Sequence, residues 1–259
     1  MIAATFNANS IRNRLDVILG WMTENRPDML CIQETKCQDK DFPADAIREA
    51  GYHCAFLGQK TFNGVALISP HELEGVVKGT GDGSLDTEAR FISARAGDVL
   101  FVNTYIPQGQ MKGTPKFETK LRFLDFMYEY FSSLDMDDKI IWCGDFNIAL
   151  TDMDVYDPDL YRGGVGFCEE EQSRLEKIMS LGLTDTFRKL NPSEEKAYTF
   201  WDYRMNCFRA NHGWRIDYIM ASRPLAACLS ASRVDKEPRK REKPSDHTFL
   251  ISEFDHKLQ

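Results

Sequence analysis

The sequence has no apolar run near the roughly 20 residues that a membrane-spanning helix needs. Its first residues, MIAATFNANS, also lack the charged and apolar regions of a secretory leader. A soluble, cytoplasmic protein with no membrane contact is expected. Paired cysteines are missing as well. The seven, at 31, 37, 54, 143, 168, 207 and 228, contain no CxxC, and an odd count does not describe a disulfide framework. A reducing compartment follows, with Cys31 in MLCIQ and Cys143 in IIWCG acting as small core residues inside apolar runs. No His/Cys cluster has zinc spacing. Linkers, repeats and low-complexity segments are absent, so residues 1–259 are expected to form one domain. Positive charge is in deficit, 32 Lys and Arg against 40 Asp and Glu, for a net −8. That weighs against broad nucleic-acid binding through phosphates. It leaves open an enzyme that gathers carboxylates around a divalent metal and keeps a basic rim. Rim candidates are Arg12 with Arg14, the segment from Lys112 to Arg122, and Arg239, Lys240, Arg241 and Lys243.

What is present is a series of short β-rich runs: IAATF (2–6), MLCIQ (29–33), VALIS (65–69), FISAR (91–95), VLFVNTY (99–105), IIWCG (140–144), IDYIMA (216–221) and TFLISEF (248–254). Helical spacing lies between some of them. Leu15, Ile18, Leu19 and Met22 repeat on one face before Pro27, residues 117–131 do likewise, and 168–181 opens on EEEQ before Gly182. Strands and helices mix without strict βαβ alternation. An α/β (α+β) protein with two packed sheets flanked by helices is therefore expected.

Several apolar strands run straight into a polar side chain. IAATF leads to Asn7 and Asn9, MLCIQ to Glu34, VLFVNT to Tyr105, and IIWCG to Asp145 and Asn147. One such residue would be a turn-former; repetition points to loops converging at one edge of a rigid sheet. In GDFN, Asp145 and Asn147 are two apart, so an extended backbone points both the same way. A carboxylate there can orient or deprotonate a water while the amide steadies a phosphate oxygen. His247, beside Asp246 in SDH, differs from His53, His71, His212 and His256 in its company: Asp217 of RIDY could hold it as an imidazolium. Glu34 is the best metal-ligand candidate, because Mg²⁺ takes oxygen donors and needs only one or two protein carboxylates.

Together these residues resemble the exonuclease III family of apurinic/apyrimidinic endonucleases, within the endonuclease/exonuclease/phosphatase superfamily. The likeness runs end to end through FNANSIRNRL, PDMLCIQETK, NGVALIS, FVNTYIPQG, GDFNIALTDMD, GLTDTFRKLNP, YTFWDYR, GWRIDY and KPSDH, and leans toward the bacterial exodeoxyribonuclease III branch. The resemblance implies a four-layer αββα sandwich, Mg²⁺ dependence with Mn²⁺ as substitute, and a monomeric, nucleoid-associated repair enzyme of prokaryotic type. Its implied substrates are double-stranded DNA with abasic sites or blocked 3′ ends. It would incise 5′ to the abasic site, leaving a 3′-hydroxyl, and act as 3′ to 5′ exonuclease and 3′-phosphatase. By motif position, Glu34, Asn7, Asn9 and Asp246 match the metal site, and Asp145, Asn147, Asp217 and His247 the phosphate chemistry. Tyr105 matches a phenol that serves as acid, nucleophile or orienting donor. Phe200, Trp214 and Ile216 match an apolar pocket for the extruded abasic sugar, with Arg204 as a further substrate contact. Two departures stand out: Asn9 replaces the Asp of some members, and QMKGTPKF after PQG matches none of them.

Two alternatives compete. Another phosphoesterase of the superfamily would share Glu34, GDFN and SDH, but not YTFWDYR with GWRIDY. A DNA-binding module without catalysis would be expected to have lost at least one polar site residue, and none is lost.

Overall fold

Alternation along the apolar runs decides the architecture, because each interior strand must cover both of its faces. The computed structural model describes residues 1–259. Its strands are β1 (Ile2–Asn7), β2 (Met29–Gln33), β3 (His53–Leu57), β4 (Val65–Ser69), β5 (Glu74–Lys78), β6 (Phe91–Ala96), β7 (Val99–Tyr105), β8 (Ile140–Asp145), β9 (Thr184–Asp185), β10 (Asp217–Ala221), β11 (Leu229–Asp235) and β12 (Phe249–Phe254). They form two six-stranded sheets, in the orders β11-β12-β1-β2-β4-β3 and β5-β6-β7-β8-β10-β9. The helices are α1 (Leu15–Asn25), α2 (Ala44–Glu49), α3 (Pro115–Ser132), α4 (Pro158–Tyr161), α5 (Glu169–Met179), α6 (Thr186–Leu190), α7 (Cys207–Ala210) and α8 (Arg223–Ala227).

Inward rows such as Ala3, Met29, Cys31 and Leu67 meet Phe101, Ile141, Cys143 and Ile219 of the other sheet in one buried cluster. The alternate residues face outward. Phe6, Ile32 and Ile251 pack on Ile18, Trp21 and Met22 of α1 and Ile47 of α2. Val102, Trp142 and Met220 pack on Phe123, Leu124 and Phe131 of α3 and Leu175 and Ile178 of α5. The result is the expected α/β/β/α sandwich. Helix α3 starts where Thr114 accepts the Phe117 N–H and Pro115 occupies the first turn, where its missing N–H costs nothing. All seven cysteines are free, with Cys31, Cys37, Cys143 and Cys168 buried.

The inward rows change character along their length. Ala3, Thr5 and Asn7 lie on one row of β1, Met29, Cys31 and Gln33 on β2, Phe101, Asn103 and Tyr105 on β7, and Ile141, Cys143 and Asp145 on β8. Both pairs are parallel, with Asn7 in register with Gln33 and Tyr105 with Asp145, so the polar ends line up. Strand β10 runs antiparallel to β8 and sets Asp217 opposite Asp145. Beneath them Gln33 Nε2 donates to Asn103 Oδ1 at 2.7 Å, and Asn103 Nδ2 donates to the Ile32 and Ala66 carbonyls at 2.9 Å each. This buried amide layer joins the two sheets directly under the strand ends.

Candidate active site

Three strands carrying site residues, β1, β2 and β8, leave their sheets through an uncommon backbone turn. Asn9, Glu34, Lys36 and Asn147 all have positive φ, between 44° and 52°, a conformation that costs a non-glycine residue about 1 kcal/mol. Such strain gathers where side chains are aimed for function. Gly144 of GDFN is required for closeness: a Cβ there would lie 2.0 Å from the Thr104 carbonyl oxygen.

Asp145 is buried, accepting from Asn7 Nδ2 at 2.8 Å through Oδ2 and from the Asn147 N–H at 2.9 Å through Oδ1. His247 Nδ1 is 2.8 Å from Asp217 Oδ2, and its Nε2 faces Asp145 Oδ2 across 3.7 Å. Burial pushes the Asp145 carboxyl up to about 7, against the opposing pull of His247. Burial alone would lower His247, but the Asp217 and Asp145 carboxylates outweigh it and lift it to about 10. Tyr105 is raised well above its ordinary value, first by burial and then by Glu34 and Asp145, so the phenol keeps its proton. The Arg90 guanidinium lies over the Tyr105 ring, 4.5 Å from its centroid. Asn147 Nδ2 donates to the Ile106 carbonyl at 3.0 Å, leaving its second amide hydrogen free to bind.

The second group borders the first. Asn7 Nδ2 also donates to Glu34 Oε1 at 2.9 Å, so one amide spans Glu34 and Asp145. Asn9 Nδ2 donates to Asp246 Oδ1 at 2.9 Å. Lys36 Nζ sits 2.7 Å from both Glu34 Oε2 and Asn9 Oδ1, a cation already drawn between two of the expected metal ligands. The carboxylates of Glu34 and Asp246 and the side-chain carbonyls of Asn7 and Asn9 offer oxygen donors, as Mg²⁺ prefers. The residues therefore fit a hard divalent cation. Asp145, Asp217 and His247 also lie close enough, within 4.8 Å, to act as one titrating unit.

Phe200, Trp214 and Ile216 come together with Ala149, Val155 and Phe167 in a separate apolar cluster. Phe200 pairs with both Trp214 and His247 by isolated bridges, and its ring is 4.9 Å from the His247 ring. Tyr161 adds an edge contact to Trp214 at 4.8 Å.

Not every expected residue joins these groups. Arg204 projects from a short turn with its side chain 87% exposed, paired only with Asp202 at 3.6 Å. The basic rim is thinner than the sequence suggests. Lys120 and Arg239 are buried, and Lys112, Arg122, Lys240 and Arg241 pair with Glu170, Asp82, Glu237 and Glu24. Residues that the sequence reading missed are Lys36, Arg90, Tyr161 and Thr199, whose hydroxyl accepts from the Ile216 and Asp217 N–H groups at 3.2 Å each. Lys36 and Thr199 stand inside the motifs QETK and YTFW, but adjacency alone assigns them no partner.

A six-on-six sheet sandwich with acidic residues and a buried Asp–His pair at one end defines a phosphoester-hydrolysing class of site. The chain belongs to the endonuclease/exonuclease/phosphatase family, whose pattern matches residues 4–247. It is 32% identical to exodeoxyribonuclease III of Haemophilus influenzae over 262 residues, covering 96% of this chain and 98% of that one. It is 35% identical to the DNA repair nuclease APEX1 of Danio rerio over 221 residues, 83% of this chain and 71% of the relative. The solved structure of an AP endonuclease from Archaeoglobus fulgidus superposes with a TM-score of 0.96 at 40% identity, covering 99% of this chain and all of the other. The 3′ phosphatase NExo from Neisseria, bound to a product DNA hairpin, gives 0.93 at 36% identity, with coverage of 99% and 100%.

Proposed function

We propose that this chain is a DNA-repair phosphodiesterase. It hydrolyses the backbone 5′ to an abasic site, leaving a 3′-hydroxyl, and also acts on 3′ ends as exonuclease and phosphatase. The observation that carries this reading is Phe200, which pairs with Trp214 of the apolar pocket on one side and with His247 of the acid–base pair on the other. A nucleotide without its base gives up little stacking when extruded, so its sugar can enter a tight apolar pocket while its 5′ phosphate lies at His247.

Glu34, Asn7, Asn9 and Asp246 are the residues that would hold Mg²⁺, or Mn²⁺ in its place. A cation held there would supply positive charge against the charge that builds up on the phosphoryl group. Asp145, poised by burial near neutral pH, orients a water and takes its proton as the new P–O bond forms. The P–O3′ bond breaks, and the 3′-oxygen leaves with the electron pair and takes a proton from solvent water. His247, kept protonated by Asp217, and Asn147, through its free amide hydrogen, donate to the phosphoryl oxygens. Tyr105 donates from its retained phenolic proton. Arg204, exposed beside the pocket loop, is assigned to the DNA backbone.

We assign these residues to a single catalytic unit over residues 1–259, working as a monomer. No helix is long and apolar enough to cross a membrane, and we place the enzyme in the cytoplasm with the nucleoid. Labelled duplexes carrying an abasic analogue, a uracil, a plain end or a 3′-phosphate, each with Mg²⁺ or EDTA, test the reading. Cleavage at the abasic analogue in Mg²⁺ only is expected; no cleavage of any duplex would overturn it.

A further inference from the structure

Lys120 and Glu171 lie outside every role assigned above, yet both side chains are fully buried and 2.7 Å apart. They belong to α3 and α5, the helices covering the outer face of the second sheet. Removing two charges from water is costly unless each is well partnered, and here the partners are backbone groups of the site loops. Lys120 Nζ donates to the Asn147 carbonyl at 2.8 Å and to the Gln108 carbonyl at 3.3 Å. Glu171 Oε2 accepts the Gly166 N–H at 2.7 Å, and the Gly166 carbonyl accepts the Ala149 N–H at 2.7 Å. A Cβ on Gly109 would lie 3.1 Å from Lys120 Cδ and one on Gly166 3.3 Å from the Trp214 ring, so both loops are drawn close around the pair.

Three loops therefore meet at one buried ion pair: the loop after Tyr105, the loop holding Asn147, and the loop bordering Trp214. We propose that Lys120, fixed by Glu171, is a positioning residue that sets these three loops in one register for phosphodiester cleavage. It touches no reacting atom. Its ammonium donates to the Asn147 and Gln108 carbonyls, and Glu171 carries the same constraint to the pocket side.

The kinetic arm of the test rests on the phosphodiesterase reading; a structural arm does not. Lys120→Met with Glu171→Met removes both charges at similar volume, so no buried charge is left alone. Expected are a melting temperature close to wild type, kcat on an abasic duplex lowered at least tenfold, and KM within about threefold. Amide exchange at Ala149 and Gly166 should quicken at least tenfold while the central strands keep their protection. Exchange and kcat both at wild-type levels in the folded double variant would overturn the proposal. If wild type itself does not cleave, the functional reading fails, and the exchange rates still decide the positioning role. Should the double variant not fold, Glu171→Gln takes its place: faster Gly166 exchange with lower kcat supports the proposal, and wild-type values for both overturn it.

Discussion

At the scale of single residues, the proposed roles separate groups that would act on phosphate from groups that would choose where to cut. Asp145→Asn keeps the shape and removes the proton acceptor, and His247→Ala removes the imidazolium held by Asp217. Each is expected to lower kcat by about 10²–10⁴, as losing a principal catalytic group does; steady-state cleavage of an abasic duplex within tenfold of wild type would sink the assigned role. Glu34→Ala should instead shift the Mg²⁺ titration to higher concentration and release Lys36 from its 2.7 Å ion pair. An unchanged titration midpoint would move the metal elsewhere. Trp214 packs its ring edge-on with Tyr161 and Phe167, in the apolar cluster. Trp214→Ala should therefore reduce abasic incision much more than removal of a 3′-phosphate, and equal losses in a paired assay would argue against the pocket.

At the scale of elements, legibility followed burial. The eight runs read as strands correspond to β1, β2, β4, β6, β7, β8, β10 and β12, which are the interior strands of both sheets. The four unread strands, β3, β5, β9 and β11, are the four sheet edges. An edge strand is covered less completely; β5, EGVVK, is exposed along its whole length and so carries no continuous apolar signal. The candidate site was visible in the sequence for the same reason: Asn7, Glu34, Tyr105 and Asp145 end or directly follow readable interior strands. Arg215 was invisible, because its partners come from distant segments. It is fully buried, with Nε 2.8 Å from Asp154 and Nη1 2.8 Å from Asp185, and it ties the 151–155 loop and the start of α6 to the entry of β10, between Trp214 and Asp217. Arg215→Met leaves Asp185 buried without its cation and Asp154 with Arg188 alone, and a loss of about 3–5 kcal/mol is expected in denaturant unfolding. A loss below ~1 kcal/mol would mean that Arg188, which also reaches Asp154 at 2.6 Å, suffices alone.

For the whole molecule, the buried charges should shape stability against pH in metal-free protein. Asp98 is raised by burial, but Lys139 and His256 outweigh this and hold it at about 2, below the unfolded value of about 3.9. Its ionised form favours the fold, so that stabilisation is present above pH ~4 and lost as pH falls toward 2. Asp145 is displaced the other way, to about 7. Ionising it is harder in the fold than in the open chain, which weakens the fold progressively from pH ~4 to 7. His247, lifted to about 10 from an unfolded value of about 6.5, stabilises fully below that value, and its contribution fades between ~6.5 and 10. Together these three groups favour the fold most near pH ~4 and progressively less above it, with an alkaline decline driven by the site itself. Melting temperatures measured in EDTA from pH 3 to 10 should show that decline in wild type and a flatter alkaline limb in His247→Ala. Parallel limbs in the two proteins would mean that the Asp–His pair does not carry its charge into the fold.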